Sequence, residues 1–233
     1  MRSGPVLITG AASGIGLAIA ERLRSDGVDV IAWDRRNGEG DSEVTLVDVT
    51  DEASVRLAAV GLPEDLAGVV SSAGISSRQS LSETSLEEFR QVIDINVSGT
   101  LAVAQAVHSR LRGGVFVTIG SVAGTVPMAR RGAYCASKAA VIMLSKVLGS
   151  EWAGDDIQVL CVSPGFVNTG MATQGAAEGV TDLSRVLDRT PTGALVDSDD
   201  LVDVLVLAVT GKLKGMTGTE IVVDGGYTAG TVI

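Results

Sequence analysis

A tyrosine and a lysine stand four positions apart in the segment GAYCASKAAVIM, residues 132–143. In water a phenol and an alkylammonium group titrate at about 10 and 10.4, so neither alone is an acid–base catalyst at neutral pH. On a helix, Tyr134 and Lys138 would share one face, and an ammonium group close to a phenol favours the phenolate. The pair could therefore exchange a proton with a substrate oxygen. Taken alone, the short motif favours an ordinary pair on an exposed helix surface.

Three glycines form a second motif, in VLITGAASGIGLAIAERL at residues 6–23. An apolar run precedes Gly10 and a helical pattern follows Gly16, which indicates a strand-to-helix turn. In such a turn Gly10 permits the bend, Gly14 lets backbone approach a pyrophosphate, and Gly16 lets the helix pack on the strand. Free N–H groups at the helix N-terminus would bind the anion. The stretch therefore predicts a dinucleotide site.

An acidic residue, Asp34, ends the second apolar run, in IAWDRRN. A carboxylate there accepts hydrogen bonds from the adenosine ribose hydroxyls and repels a 2′-phosphate. The neighbouring Arg35 and Arg36 could instead hold a 2′-phosphate. Because the acid occupies the deciding position, the sequence predicts NAD(H) rather than NADP(H). A solvated charge at a strand end is the less favoured alternative.

Apolar segments of strand length alternate with helical patterns along the chain. The segments are rich in valine and isoleucine with little polar alternation, which is typical of parallel strands buried on both faces. Strands are predicted at 5–9, 28–33, 43–47, 67–72, 114–119, 157–162 and 219–223, and helices at 14–25, 52–60, 86–111, 132–153 and 198–210. This order predicts an α/β fold with a doubly wound parallel sheet, in a single domain over residues 1–233. The irregular segment 165–197 is predicted to wall or cover the substrate pocket.

The composition is that of a globular protein, with 45% hydrophobic and 20% charged residues in 233. The net charge of −10 argues against nucleic acid or an anionic membrane as a partner. Cys135 and Cys161 show neither a disulfide framework nor metal-ligand spacing. With no recognisable secretion signal or membrane-length apolar run, we predict a cytoplasmic protein without a metal.

Together these motifs resemble the short-chain dehydrogenase/reductase family, in its short single-domain branch. The resemblance begins with TGAASGIG and YCASK, and it extends to SSAG (71–74), Asn96 in DINVSG, Ser121 in IGSVAG, SPGFVNTGM (163–171) and VVDGG (222–226). The motifs occur in family order over essentially the whole chain. The resemblance implies a Rossmann fold with about seven strands in the order 3-2-1-4-5-6-7 and helices on both faces.

The resemblance also assigns roles to four residues. Tyr134 would be the general acid or base, and Lys138 would tune it while binding the nicotinamide ribose. Ser121 would hold the substrate oxygen, and Asn96 would complete a water-linked proton relay through Lys138. For Asn96, hydrogen bonding to backbone is the simpler alternative.

Further residues are implied for the cofactor and the substrate pocket. Cofactor contacts are expected from Gly10, Ser13, Gly14, Ile15, Gly16, Asp34, Arg35, Asp48, Val49, Ser72, Ala73, Gly74, Tyr134, Lys138, Pro164, Gly165, Val167 and Thr169. Val122, Met128, Phe166 and Met171 are expected to line an apolar pocket.

Two departures from the family pattern affect the surroundings of the cofactor. Ser71 and Ser72 stand where the family usually has asparagine, so a contact that braces the strands is expected to be missing. The short connection between Asp34 and Glu43 leaves no room for the usual crossover helix, so the adenine end is expected to be open.

Several reactive side chains receive no catalytic role. Arg78, Arg130 and Arg131 could meet an anionic substrate, although solvated charges or subunit contacts are more frequent roles for such residues. His108 is expected at a helix surface or in helix packing. Cys135 points away from Tyr134 on the helix.

The leading interpretation is an NAD-dependent dehydrogenase or reductase that transfers a hydride between NAD(H) and a secondary alcohol or ketone, including a cyclic alcohol or dihydrodiol. An NADPH-dependent 3-ketoacyl reductase is one alternative, which Asp34 and the acidic surface disfavour. An NAD-sensing regulator is another, which the intact set of four catalytic residues disfavours. The partner is expected to be a small molecule, and the chain is expected to form a homo-oligomer, a tetramer or a dimer.

Overall fold

Seven strands form one parallel sheet in the computed structural model, which describes residues 4–38, 43–168 and 181–230. The strands are β1 (Val6–Thr9), β2 (Val30–Asp34), β3 (Thr45–Leu46), β4 (Gly68–Ser71), β5 (Val115–Ile119), β6 (Gln158–Pro164) and β7 (Thr219–Val223). Their order across the sheet is β3-β2-β1-β4-β5-β6-β7. The predicted doubly wound sheet and its strand order are therefore confirmed.

Seven α-helices accompany the strands within the described residues. They are α1 (Gly14–Ser25), α2 (Glu52–Val60), α3 (Leu86–Ile93), α4 (Gly99–Val107), α5 (Gly132–Trp152), α6 (Leu183–Arg189) and α7 (Ser198–Val209). Side chains of Asp51, Ser85, Asp182 and Asp197 accept N–H groups at the starts of α2, α3, α6 and α7, which satisfies donors that have no partner inside the helix. Among the described residues, no helix has both the length and the apolar character needed to cross a membrane.

Each face of the sheet carries its own cluster of buried side chains, because alternate residues of a strand point to opposite faces. On one face, Ile19 of α1 and Leu205 of α7 belong to the cluster that contains Val117 of β5. On the other face, Phe116 of β5 lies in a cluster with Trp152 of α5. Burial on both faces explains why the strand segments are continuously apolar.

The helix predicted at 86–111 is divided in the structure. α3 ends at Ile93, a π-helical turn spans Asp94–Ser98, and α4 begins at Gly99, whose N–H donates to the Asp94 carbonyl. Asn96 therefore lies in a π-helical turn, a feature that is frequent at functional sites. The apolar pattern on both sides is helical, which is why the sequence predicts one continuous helix.

Two connections shape the edge of the sheet where the cleft lies. β2 ends at Asp34 and β3 begins at Thr45, yet the two strands are parallel neighbours. A parallel crossover that contains a helix needs about a dozen residues or more, so the connection between β2 and β3 is too short to contain a helix. In the segment predicted to be irregular, Val167 pairs with Val196 in an isolated parallel bridge, and α6 lies between them. Residues 169–180 lie outside the described residues.

The loop after β7 is organised by Asp224, a buried acid. Its carboxylate accepts the N–H groups of Gly226 and Thr228 and the hydroxyl of Thr228. Burial raises the pKa of Asp224, but these hydrogen bonds outweigh burial and keep the pKa below its ordinary value. Gly165 packs against this acid, since a Cβ there would lie 2.8 Å from the Asp224 Cα. The loop and the end of β6 are thus held together.

Replacing Asp224 with alanine is expected to lower the free energy of unfolding by about 1–3 kcal/mol at neutral pH, because three donors lose a charged acceptor. A depressed pKa stabilises the fold above the unfolded-state pKa of about 3.9, and this contribution is lost as the pH falls through the folded-state pKa. The difference between wild type and variant, measured by urea denaturation, should shrink below about pH 4. Asp188→Ala, at an exposed acid, is the control. A difference that does not change with pH would contradict this role.

Candidate active site

A cleft of about 1570 Å³ lies at the carboxyl ends of β1, β2, β4, β5 and β6. Open α/β sheets bind ligands at this edge, where the strand order reverses beside β1. The volume exceeds the roughly 300–1,000 Å³ of a site for one drug-sized molecule, so a dinucleotide and a second ligand have room. The predicted residues that line the cleft are Gly10, Ser13, Gly14, Ile15, Gly16, Asp34, Arg35, Asp48, Val49, Ser72, Ala73, Gly74, Ser121, Val122, Met128, Tyr134, Lys138, Pro164, Gly165, Phe166 and Val167. Thr169 and Met171 lie outside the described residues.

Tyr134 and Lys138 lie in the first two turns of α5, which brings both side chains to the cleft. Lys138 is buried, and its ammonium group donates to the carbonyl oxygen of Ile119 at 2.7 Å. The same Nζ lies 5.6 Å from the centre of the Tyr134 ring. The end of β5 therefore fixes the lysine, and the lysine places a positive charge beside the phenol.

Ser121 begins a short 3-10 turn, Val122–Gly124, that follows β5. Its Oγ accepts the N–H of Ala123 at 3.1 Å, so its own proton can be donated to an oxygen in the cleft. The turn packs closely on α5, because a Cβ at Gly124 would lie 2.9 Å from the carbonyl carbon of Lys138. This close contact holds Ser121 in place relative to α5, which carries Tyr134 and Lys138.

Asn96 lies behind the cleft wall and is 1% exposed. Its Oδ1 accepts the N–H of Ile75 at 2.8 Å, and its Nδ2 donates to the Ile75 carbonyl and to the Oγ of Ser137, each at 2.9 Å. The amide thereby ties the loop after β4 to α5. These contacts are with protein groups, and a role in proton relay stays a prediction.

The loop between β1 and α1 needs its glycines for steric reasons. Gly10 has φ +69°, and a Cβ there would lie 2.8 Å from the Cα of Ala73. A Cβ at Gly16 would lie 2.2 Å from the carbonyl oxygen of Gly10. Gly14 has φ +58° and no atom within 4 Å of a Cβ, so it borders open space. Because the side chain of the N-cap residue, Ser13, accepts no N–H group of α1, the first N–H groups of the helix are available to an anion.

Asp34, at the end of β2, contacts the glycine loop. Its Oδ2 accepts the N–H of Ala12 at 3.0 Å, and its Oδ1 accepts the N–H of Arg36 at 3.2 Å. A carboxylate offers about four lone-pair sites, so both oxygens can still accept ribose hydroxyls. The guanidinium of Arg36 donates to the Oγ of Ser13 at 2.8 Å. One arginine is therefore placed beside the same loop.

The loop after β4 is braced by Thr9, a residue that the motifs do not mark. Its Oγ1 accepts the N–H groups of Ser72 and Ala73, each at 3.2 Å. The hydroxyl of Ser71 donates to Thr100 at 3.4 Å. The loop is therefore held to β1 by Thr9, and the last residue of β4 contacts α4, although no asparagine stands here to make the bracing contact of the family pattern.

Asp48 lines the cleft after β3. Its Oδ1 accepts the hydroxyl of Thr50 at 2.7 Å and the N–H of Thr50 at 2.9 Å. These two hydrogen bonds, with a smaller contribution from Arg35, lower the pKa of Asp48. The carboxylate is therefore ionised at neutral pH and fixed close to its own backbone.

The far wall of the cleft is apolar. Phe166 packs edge-on against Tyr227, with 5.3 Å between the ring centres. Val122 and Met128 belong to the same cluster. Tyr227 lies in no motif and comes from the loop that Asp224 organises, so only the fold shows that it supports this wall.

Arg131 and Thr181 also line the cleft, although neither is predicted as a site residue. The Nη2 of Arg131 donates to the Oγ1 of Thr181 at 2.9 Å. Arg78 lines the cleft as well, whereas Arg130 is exposed. In the sequence, only its position directly before the helix that carries Tyr134 indicated that Arg131 would lie at the cleft.

His108 lies away from the cleft, in a short 3-10 turn after α4. Its ring packs on Trp152 with 4.8 Å between ring centres, and its Nε2 lies 3.0 Å from the Oδ2 of Asp155. The predicted packing role is confirmed. Cys135 and Cys161 are both free thiols, and burial raises the pKa of Cys161.

Comparison with known proteins gives four matches, namely one family model, two relatives and one solved structure. A family model described as enoyl-(acyl carrier protein) reductase matches residues 10–228. The D-threitol dehydrogenase of Mycolicibacterium smegmatis is 34% identical over 241 residues, covering 95% of this chain and 92% of the relative. The NADP-dependent (R)-specific alcohol dehydrogenase of Lentilactobacillus kefiri is 30% identical over 243 residues, covering 96% of each. The crystal structure of an oxidoreductase of the short-chain dehydrogenase/reductase family from Burkholderia thailandensis matches with a TM-score of 0.86 and 27% identity, covering 99% of this chain and 95% of that one.

Proposed function

The chain belongs to the short-chain dehydrogenase/reductase family and is an oxidoreductase that acts on a CH–OH group, and we propose that it transfers a hydride between NAD(H) and a secondary alcohol or ketone. The observation that carries this proposal is a single cleft lined by the glycine loop and by Ser121, Tyr134 and Lys138. The names of the two relatives, a threitol dehydrogenase and an alcohol dehydrogenase, support a free alcohol as substrate rather than a carrier-bound acyl group.

The residues of the cleft fit a nicotinamide dinucleotide. The uncapped first turn of α1 offers N–H groups to a pyrophosphate, and Gly14 leaves the space beside them open. Asp34 would accept the ribose hydroxyls of the adenosine half, and Lys138 would donate to those of the nicotinamide half. When bound, the nicotinamide accepts or supplies the hydride.

Tyr134 is the residue that we assign to proton transfer. In alcohol oxidation its phenolate oxygen takes the hydroxyl proton of the substrate, and in ketone reduction the phenol returns a proton to the carbonyl oxygen. The ammonium group of Lys138 lies 5.6 Å from the ring centre, on the side of the cleft where the proton is transferred. Ser121 donates a hydrogen bond to the same substrate oxygen and so orients it toward Tyr134.

The preference for NAD(H) is proposed from Asp34. Two backbone N–H groups fix its carboxylate next to the glycine loop, where a 2′-phosphate would meet a like charge. Arg36 supports the opposite choice, because a guanidinium can bind a phosphate through two hydrogen bonds. Arg36 is an exposed side chain, whereas two backbone N–H groups hold the carboxylate of Asp34 in place. We therefore expect Asp34 to have the larger effect on cofactor preference.

With a panel of secondary alcohols, wild-type kcat/KM is expected to be at least about tenfold higher with NAD than with NADP, followed by the absorbance of the reduced cofactor. Asp34→Asn should shift this ratio toward NADP by about tenfold or more, because the repelling charge is lost. Asparagine keeps an acceptor oxygen for the N–H of Ala12, so the loop should remain folded.

Asp29→Asn is the matched control, since Asp29 is exposed at the opposite end of β2. It should leave the cofactor ratio unchanged. Failure to reduce either cofactor with any alcohol of the panel would reject the proposed function. A wild-type preference for NADP would reject the cofactor assignment alone.

A further inference from the structure

Two arginines line the cleft together with Tyr134, in a protein whose net charge is −10. Arg131 immediately precedes α5, and Arg78 lies in the loop after β4. The charge of Arg78 acts unfavourably on that of Arg131. The fold therefore brings two like charges to one cleft in a chain that is acidic overall.

The surroundings of Arg131 are unfavourable for a cation. The residue is half-buried at the N-terminus of α5, where the positive end of the helix dipole repels a positive charge. Burial lowers the pKa of Arg131 most strongly, Tyr134 raises it, and the charge of Arg78 lowers it further, so that the net shift is downward, although a guanidinium stays protonated in proteins. An arginine in this position does not serve the stability of the helix.

Among the described residues, no carboxylate lies within ion-pair distance of Arg131. Glu87 and Glu88 of α3 also line the cleft, but neither pairs with it. Its hydrogen bond is to a neutral partner, the hydroxyl of Thr181, at 2.9 Å. Because a partly buried charge loses some of its hydration and gains from a charged partner, an anion that enters the cleft would complete this site.

A buried hydroxyl next to Arg78 also lines the cleft. Ser77, next to Arg78, is 4% exposed and lines the cleft, and its Oγ has no hydrogen-bond partner among the described residues. A buried polar atom without a partner costs about 1–3 kcal/mol. A ligand oxygen near this wall would relieve that cost once the side chain turns toward it.

We propose that Arg131 binds an anionic group of the substrate, so that the protein acts on a secondary alcohol or ketone carrying a carboxylate, phosphate or sulfonate a few bonds from the reacting carbon. The inference rests on the proposed function and specifies its substrate class. Arg131 lies at the N-cap of α5, three residues before Tyr134, and Tyr134 is among the groups that act electrostatically on its guanidinium. A guanidinium holds such an anion through two parallel hydrogen bonds. Anion binding would thereby orient the reacting carbon toward Tyr134 and Ser121.

The test compares 3-hydroxybutyrate with its neutral amide, 3-hydroxybutyramide, using the full chain and saturating NAD. Wild type is expected to prefer the carboxylate by about 10- to 100-fold in kcat/KM. Arg131→Gln should abolish this preference, mainly by raising KM for the carboxylate. Arg131→Lys should retain part of the preference for the carboxylate that Arg131→Gln loses, because lysine keeps the positive charge but lacks the planar guanidinium. sn-Glycerol 3-phosphate and 2-hydroxypropane-1-sulfonate show which anion is preferred.

Arg130→Gln is the matched control, since it removes a neighbouring exposed arginine, and it should leave the preference unchanged. Equal wild-type activity on acid and amide would support the proposed function and overturn the anion site. If no alcohol is oxidised, thermal stabilisation of the chain by 3-hydroxybutyrate with NADH, lost in Arg131→Gln, would support the anion site without the function. Absence of both turnover and stabilisation would overturn the anion site.

Discussion

Replacing Tyr134 with phenylalanine is expected to lower kcat/KM for alcohol oxidation by about 10²–10⁴-fold, the contribution of a positioned acid–base group. The variant lacks the oxygen that takes the substrate proton but keeps the ring. Lys138 keeps its hydrogen bond to the carbonyl of Ile119, so the cofactor contacts should be preserved. The Kd for NADH, measured by fluorescence titration, should therefore stay within about threefold of wild type.

The chain has two tyrosines, and Tyr227→Phe is the matched control. The ring of Tyr227 packs on Phe166 and lies 4.4 Å from the guanidinium of Arg189. Phenylalanine keeps these ring contacts, so turnover should remain close to wild type. Substantial turnover by Tyr134→Phe would mean that another group moves the proton, and the assignment would be wrong.

Replacing Gly16 with alanine is expected to destabilise the protein by about 1–3 kcal/mol or more and to weaken NADH binding at least about tenfold. The added Cβ would lie 2.2 Å from the carbonyl oxygen of Gly10 and 2.7 Å from its carbonyl carbon. Both are backbone atoms, so relief requires the loop or the first turn of α1 to shift. Because that turn is proposed to hold the pyrophosphate, stability and affinity should fall together in thermal denaturation and NADH titration.

Gly154→Ala is the control for this substitution. Gly154 lies in a short 3-10 turn after α5, and no atom lies within 4 Å of a Cβ there. Its effect on stability should be within about 0.5 kcal/mol, as is usual for surface positions. Unchanged stability and NADH affinity in Gly16→Ala would contradict the close packing between α1 and the loop.

The sequence predicts best what local geometry determines. Gly10 and Gly16 follow a strand and open a helix, so their need for space next to backbone follows from the turn itself. Tyr134 and Lys138 lie on one helical face because four residues are close to one turn. The strand order, by contrast, came from the resemblance to a family, because alternation of strands and helices alone does not specify it.

Contacts between distant segments could not be predicted in this way. The hydroxyl of Thr9 accepts N–H groups from the loop after β4, more than sixty residues later, and nothing near Thr9 in the sequence marks this. The π-helical turn at Asp94–Ser98 lies between two segments with helical patterns. The partner of Arg131, Thr181, lies in a segment whose sequence shows little periodicity. Each depends on packing that exists only in the folded chain.

The pairing of β1 with β4 has a consequence for synthesis on the ribosome. β1 is fully buried between β2 and β4, and Val6 lies opposite Gly68. A nascent chain can pair β1 with β2 early, but the other edge of β1 stays open until residue 71 has left the ribosome. An open apolar edge is a template for pairing with other chains. In the unfinished chain, β1 is therefore an open edge at which another chain could pair until β4 is synthesised.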